Sequence, residues 1–142
     1  MNKTQGNSRI LSVVAFSLIF AYLLSFLFEG RVLYSLMDVF GVKPNQYILF
    51  AMTAHFIGLF TCGFFVKSPQ SAKIILIGAV SACLPCTLPF FFRPSVFWLA
   101  GLIVAACVSG CAVAAWGHFL KAFTPKNERL KSCADVLIIS NI

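Results

Sequence analysis

Acidic residues are nearly missing from this 142-residue chain, which has only Glu29, Asp38, Glu128 and Asp135. Charge of either sign is absent from four long stretches: Ile10–Phe28, Tyr47–Val66, Ile74–Phe92 and Val96–Leu120. Charged residues make up 11% of the chain and hydrophobic ones 60%, whereas about a quarter of a soluble domain is charged. This composition excludes an ordinary water-soluble fold. So short a chain would leave a large share of its sixteen Phe and its many Leu, Ile and Val in water.

Three further absences narrow the class. The four runs show no alternation of period two, so they do not read as strands of a membrane barrel. No basic stripe interleaved with aromatics lies outside them, so the net charge of +7 belongs to loops and no nucleic-acid partner is expected. The first run is longer than a signal-peptide core and ends Phe28-Glu29-Gly30 without a small-x-small cleavage pattern, so it reads as a span.

Cysteine is present but poorly placed for chemistry. Cys83-Leu84-Pro85-Cys86 has the spacing of a dithiol couple. A membrane enzyme that exchanges disulfides with quinones would need a second pair in an outward loop, and neither Glu29–Gln46 nor the turn near Arg93 contains one. Cys62, Cys107, Cys111 and Cys133 read as small hydrophobic packing residues. His55 and His118 lie in different runs with no carboxylate at ligand spacing, so no metal site, cofactor or enzymatic centre is expected.

What is there is a set of helices. Each run meets the roughly 17 to 25 residues that span about 30 Å of hydrocarbon, and lipid forces backbone hydrogen bonds to close within each segment. The expected fold is an all-α, polytopic transmembrane bundle of four spans, occupying residues 1–142. Eight Lys and Arg (Lys3, Arg9, Lys67, Lys73, Lys121, Lys126, Arg129 and Lys131) would face one side, and three (Arg31, Lys43 and Arg93) the other. By the positive-inside bias, this predicts a multi-pass protein of the cytoplasmic (inner) membrane with both ends of the segment in the cytoplasm.

Within Gly30–Val42, the residues Val32, Leu33, Leu36, Val39 and Phe40 recur at helical spacing. The first helix is therefore expected to run on toward residue 40, with Gly30 as the point where it can bend. Glu29 and Arg31 then have two readings, an interfacial charge pair at the outer edge or groups facing a cavity. Asp38 is placed in the outer headgroup zone. Pro85 and Pro89 are both expected inside the third helix, bending it. In the fourth, Gly101, Ala105 and Ser109, and beside them Ala106, Gly110 and Ala114, form two small-residue ridges where another helix can approach closely. Residues 134–142 begin a new apolar stretch of nine residues, too short to span, so either this tail lies on the bilayer surface or, the favoured reading, the chain is the front part of a longer protein.

Several segments resemble the first third of a major facilitator superfamily transporter. The connection Phe40-Gly41-Val42-Lys43-Pro44-Asn45-Gln46 is similar to the family's approach to its second helix. Gly63 through Lys73 is similar to the Gly-x-x-x-Asp-Arg-x-Gly-Arg-Arg connection between its second and third helices, with Lys67 at the acidic position. Gly110-Cys111-Ala112-Val113-Ala114-Ala115, then Pro125 through Arg129, looks like the Gly/Ala-rich fourth helix and its exit, with Ala106 where many members carry Arg. The resemblance implies helices one to four of a six-helix half and the start of the fifth, in a protein that moves a small solute by alternating access. Glu29, Arg31 and His55 become candidates for solute binding or coupling; Gly63, Lys67, Gly110 and Arg129 are the motif positions. The partners implied are the bilayer, a small-molecule solute, and the remaining transporter helices or another copy of the chain. Two alternatives stand beside this reading: the membrane-embedded sensory domain of a transcriptional regulator, and a stand-alone four-helix membrane protein.

Overall fold

A computed structural model describes residues 3–27 and 30–142, without the side chains of 3–9, 11 and 12. Helix α1 (Lys3–Tyr22) runs into a π-turn at Leu23–Leu27, followed by the short α2 (Arg31–Val39) and by α3 (Pro44–Phe65). Helix α4 (Pro69–Cys86) ends in a 3-10 turn at Leu88–Phe91 before the long α5 (Val96–Phe123). A second 3-10 turn, Lys126–Glu128, leads into α6 (Arg129–Ser140). There is no strand among the described residues. Four stretches are long and apolar enough to cross a bilayer: Val13–Val39, Pro44–Phe65, Pro69–Phe91 and Val96–Phe123.

Helix ends differ from the apolar runs for identifiable reasons. Both α3 and α4 begin on a proline, whose fixed φ and missing N–H suit the first helical position, so they start before the runs that begin at Tyr47 and Ile74. Ser68 caps α4 by accepting a hydrogen bond from the Ser71 N–H at 3.1 Å. At the other end, α4 tolerates Pro85 but stops at Cys86. Pro89, which can neither donate to the ladder nor clear the carbonyl four residues back, lies in the 3-10 turn and not inside the α-helix as expected.

The central element is α5. It packs along α3 most extensively, then along α4 and α1, whereas α3 and α4 barely touch each other. The small-residue ridges explain this. A Cβ on Gly58 would overlap the Cys107 carbonyl, and one on Gly110 would overlap the His55 carbonyl and reach Leu59 N at 2.8 Å, so α3 and α5 cross backbone against backbone. On the other side, a Cβ on Gly101 would come within 2.9 Å of the Cys86 carbonyl of α4. Ala105, Ala106, Ser109 and Ala112 are buried between these contacts.

Aromatic rings close the remaining gaps. Phe16 of α1 stacks on Trp116 of α5 with centroids 4.1 Å apart, and Phe26 meets Phe90 edge-on at 4.8 Å. Along α1 and its π-turn the buried residues Val13, Phe16, Ile19, Leu23, Phe26 and Leu27 follow the three-to-four spacing of one helical face. Helix α6 lies against α1, burying Ser132 and Val136.

The outside of the bundle is as apolar as its inside. Leu49, Phe56, Phe60 and Phe64, on the outward face of α3, are each more than half exposed, as are Phe91, Val96 and Phe97 around the α4–α5 connection. Contiguous apolar surface on this scale suits hydrocarbon and not water.

Candidate functional site

Two places within this apolar frame bear on the sequence-derived candidates. The first is the interruption of the first span. After Tyr22 the backbone widens into the π-turn, and Gly30, with extended backbone (φ −66°, ψ 137°), starts α2. A Cβ on Gly30 would overlap the Ser25 carbonyl, so the chain turns back against its own preceding turn there, an approach open to glycine alone. On either side the described residues are helical, up to Leu27 and again from Arg31, with Gly30 in extended backbone where the bend is expected.

Helix α2 folds over the end of the bundle. Its apolar side buries Leu33 and Met37, and Phe40 meets Trp98 edge-on at 5.6 Å. Trp98, fully buried, donates its indole N–H to the Phe92 carbonyl at 3.2 Å, tying α2 to the α4–α5 connection. The opposite side of α2 presents Arg31, Ser35 and Asp38. After Phe40, Gly41 takes a positive φ of 64° and its N–H bonds the Asp38 carbonyl at 3.0 Å, while the Val42 N–H bonds that of Met37 at 2.9 Å. This left-handed stop lets the chain reverse into α3 within a few residues.

The second place is the α3–α5 crossing. His55 is buried, and its Nδ1 lies 3.1 Å from Ser109 Oγ, whose hydroxyl donates to the Ala106 carbonyl at 2.7 Å. The Cys111 thiol donates to the Gly58 carbonyl at 3.5 Å one turn further on. This node joins two helices that glycine has already brought into backbone contact.

The sequence-derived candidates separate accordingly. Arg31 is the first residue of α2 and is exposed; Glu29 lies outside the described residues. His55 sits eleven residues into α3, roughly 16 Å along the helix from its start. Gly63 faces open space and Lys67 is exposed in the short α3–α4 connection. Gly110 forms the α3–α5 crossing. Arg129 closes α5: its Nε donates to the Thr124 carbonyl at 3.1 Å and its Nη2 to the Lys121 carbonyl at 2.9 Å.

Sequence reasoning missed Ser109 as a polar group, since it reads as one more small residue on a ridge; its pairing with a histidine on another helix has no local signal. It also missed Tyr22 and Trp116, whose Oη and Nε1 are buried with no hydrogen-bond partner among the described residues. The π-turn that follows Tyr22 has no sequence signature either.

Fold and site together define an all-helical chain with four helices long and apolar enough for a multi-pass membrane protein. No family model, no curated protein and no solved structure matches it.

Proposed function

We propose that the chain forms part of a membrane transporter that moves a small solute by alternating access, of the major facilitator type that its motif segments resemble. The observation that supports this best is the interrupted first span. An interrupted helix frees main-chain groups that an unbroken helix would hide, and transporters place solute and ion sites at such interruptions. Here the break brings Gly30 and the exposed Arg31 to the start of α2, with Glu29 adjacent in sequence. Arg31 is then the side chain to recognise or couple the solute, and the His55–Ser109 node holds α3 and α5 together as a rigid unit. In this reading both ends of the segment face the cytoplasm of a bacterial-type inner membrane, and α2 faces outward.

Proteoliposomes containing the whole transporter of which the chain forms part, screened with labelled amino acids, sugars, nucleosides and organic acids, test the proposal. Uptake or exchange of at least one class above empty vesicles, lost in Arg31→Gln, is expected. A flat profile over all four classes, or full activity in Arg31→Gln, would overturn it.

A further inference from the structure

Beside α2 the surface opens into a groove of about 390 Å³ lined by Tyr34, Ser35, Met37, Asp38, Val42 and Pro44. This lies within the size range of small-molecule sites. We infer that this groove binds a small organic cation, an amine or quaternary ammonium group, through the Asp38 carboxylate and the Tyr34 ring.

Three observations carry the inference. Tyr34 and Asp38 are four residues apart on α2, so their side chains are neighbours on one helix face, and Ser35 also lines the groove. A carboxylate beside an aromatic ring is the pairing that recognises ammonium groups, the ring face supplying attraction to charge without a strongly solvated counter-ion. No ion pair or side-chain hydrogen bond among the described residues engages the Asp38 carboxylate.

The placement of charge on α2 is the second. The helix dipole favours acidic groups at the N-terminus and basic groups at the C-terminus, yet α2 carries Arg31 at its first position and Asp38 next to its last. Asp38 therefore adds its charge to the negative end of the helix, an arrangement that is unfavourable for α2 alone and favourable once a cation sits beside it. The third is position. The contact of Phe40 with Trp98, close to the start of α5, puts this end of α2, where Asp38 is exposed, at the end of the bundle. The nearest competing cation in sequence is Lys43, exposed between Val42 and Pro44, which line the groove.

An ammonium group can come from a free solute or from a phosphatidylcholine headgroup, and saturation-transfer NMR on the purified protein separates the two. In maltoside micelles, tetramethylammonium is expected to give a signal that tert-butanol, of similar shape and no charge, does not. Asp38→Asn should weaken binding at least tenfold and Asp38→Glu should retain it. Tyr34→Leu should weaken it several-fold, and Lys43→Gln should strengthen it. In nanodiscs, loss of the signal with phosphatidylcholine but not with phosphatidylglycerol assigns the groove to a headgroup, and persistence in both assigns it to a free solute. Equal signals from tert-butanol, or unchanged binding in an Asp38→Asn variant whose melting temperature is unaltered, would overturn the inference. None of these readouts depends on transport.

Discussion

Gly110 of α5 rests on the main-chain carbonyl of His55 in α3, with Leu59 N 2.8 Å from where a Cβ would stand. A methyl group added there must push two helix backbones apart. Gly110→Ala should therefore destabilise the protein by about 1–3 kcal/mol, the cost typical of overpacking. Gly63→Ala, on the same pair of helices but facing open space, should be neutral or stabilising by up to about 1 kcal/mol through helix propensity. Thermal unfolding of both variants in one detergent makes the comparison; equal losses would show that the crossing is not where the strain lies.

The hydrogen bond between His55 and Ser109 links the same two helices by a different means. Replacing one partner leaves a buried polar group without that bond, at a cost of about 1–3 kcal/mol. Ser109→Ala and His55→Leu should each lower stability, and the double variant should lose less than their sum. Strict additivity in this double-mutant cycle would mean that the pair contributes nothing as a pair.

Arg129 donates to two carbonyls at the end of α5, a forked geometry that an ammonium cannot reproduce. Arg129→Lys should keep the favourable charge at the helix C-terminus and still lose part of the cap, about 0.5–1.5 kcal/mol. Arg129→Gln should lose more. Proteolysis between α5 and α6, faster in the Gln variant than in the Lys variant, is the expected readout.

Gly30 is where a continuous helix would be restored if the close approach to Ser25 were lost. Gly30→Ala should straighten or displace α2, freeing Phe40 from Trp98. Because Trp98 is fully buried, its fluorescence should shift to longer wavelength in this variant. An unchanged spectrum would show that α2 keeps its place without the turn.

The parts legible in the sequence are those governed by local rules. Solvation in lipid requires unbroken apolar runs, so the four spans follow from Ile10–Phe28 and its three successors with only their ends displaced. Those displacements come from Pro44 and Pro69 at helix starts and from Pro89 at a helix stop, where the chemistry of a single residue overrides hydrophobicity. The close face of α5 was readable from Gly101 and Gly110, because small residues at four-residue spacing mean the same thing in every helix pair. Which helix each ridge would meet was not readable, since that depends on long-range packing.

The polar features were harder. The His55–Ser109 pair joins residues 54 positions apart, and each looks ordinary in its own helix. The turn before α2 was visible as a bend at Gly30, whereas the π-turn at Leu23–Leu27, with Leu23, Phe26 and Leu27 buried, has no signal in the sequence. Glu29 lies outside the described residues, so its role rests on its sequence neighbours.

That α3 and α4 meet mainly through α5 has a consequence for how the chain is made. Helices inserted into a bilayer one after another can associate only with those already present. Nascent chains halted before Val96 should hold α3 and α4 as separate spans, readily cross-linked to lipid or to the insertion machinery. Chains that extend past Phe123 should lose those cross-links together, as α5 arrives and assembly becomes a single late event instead of a stepwise one.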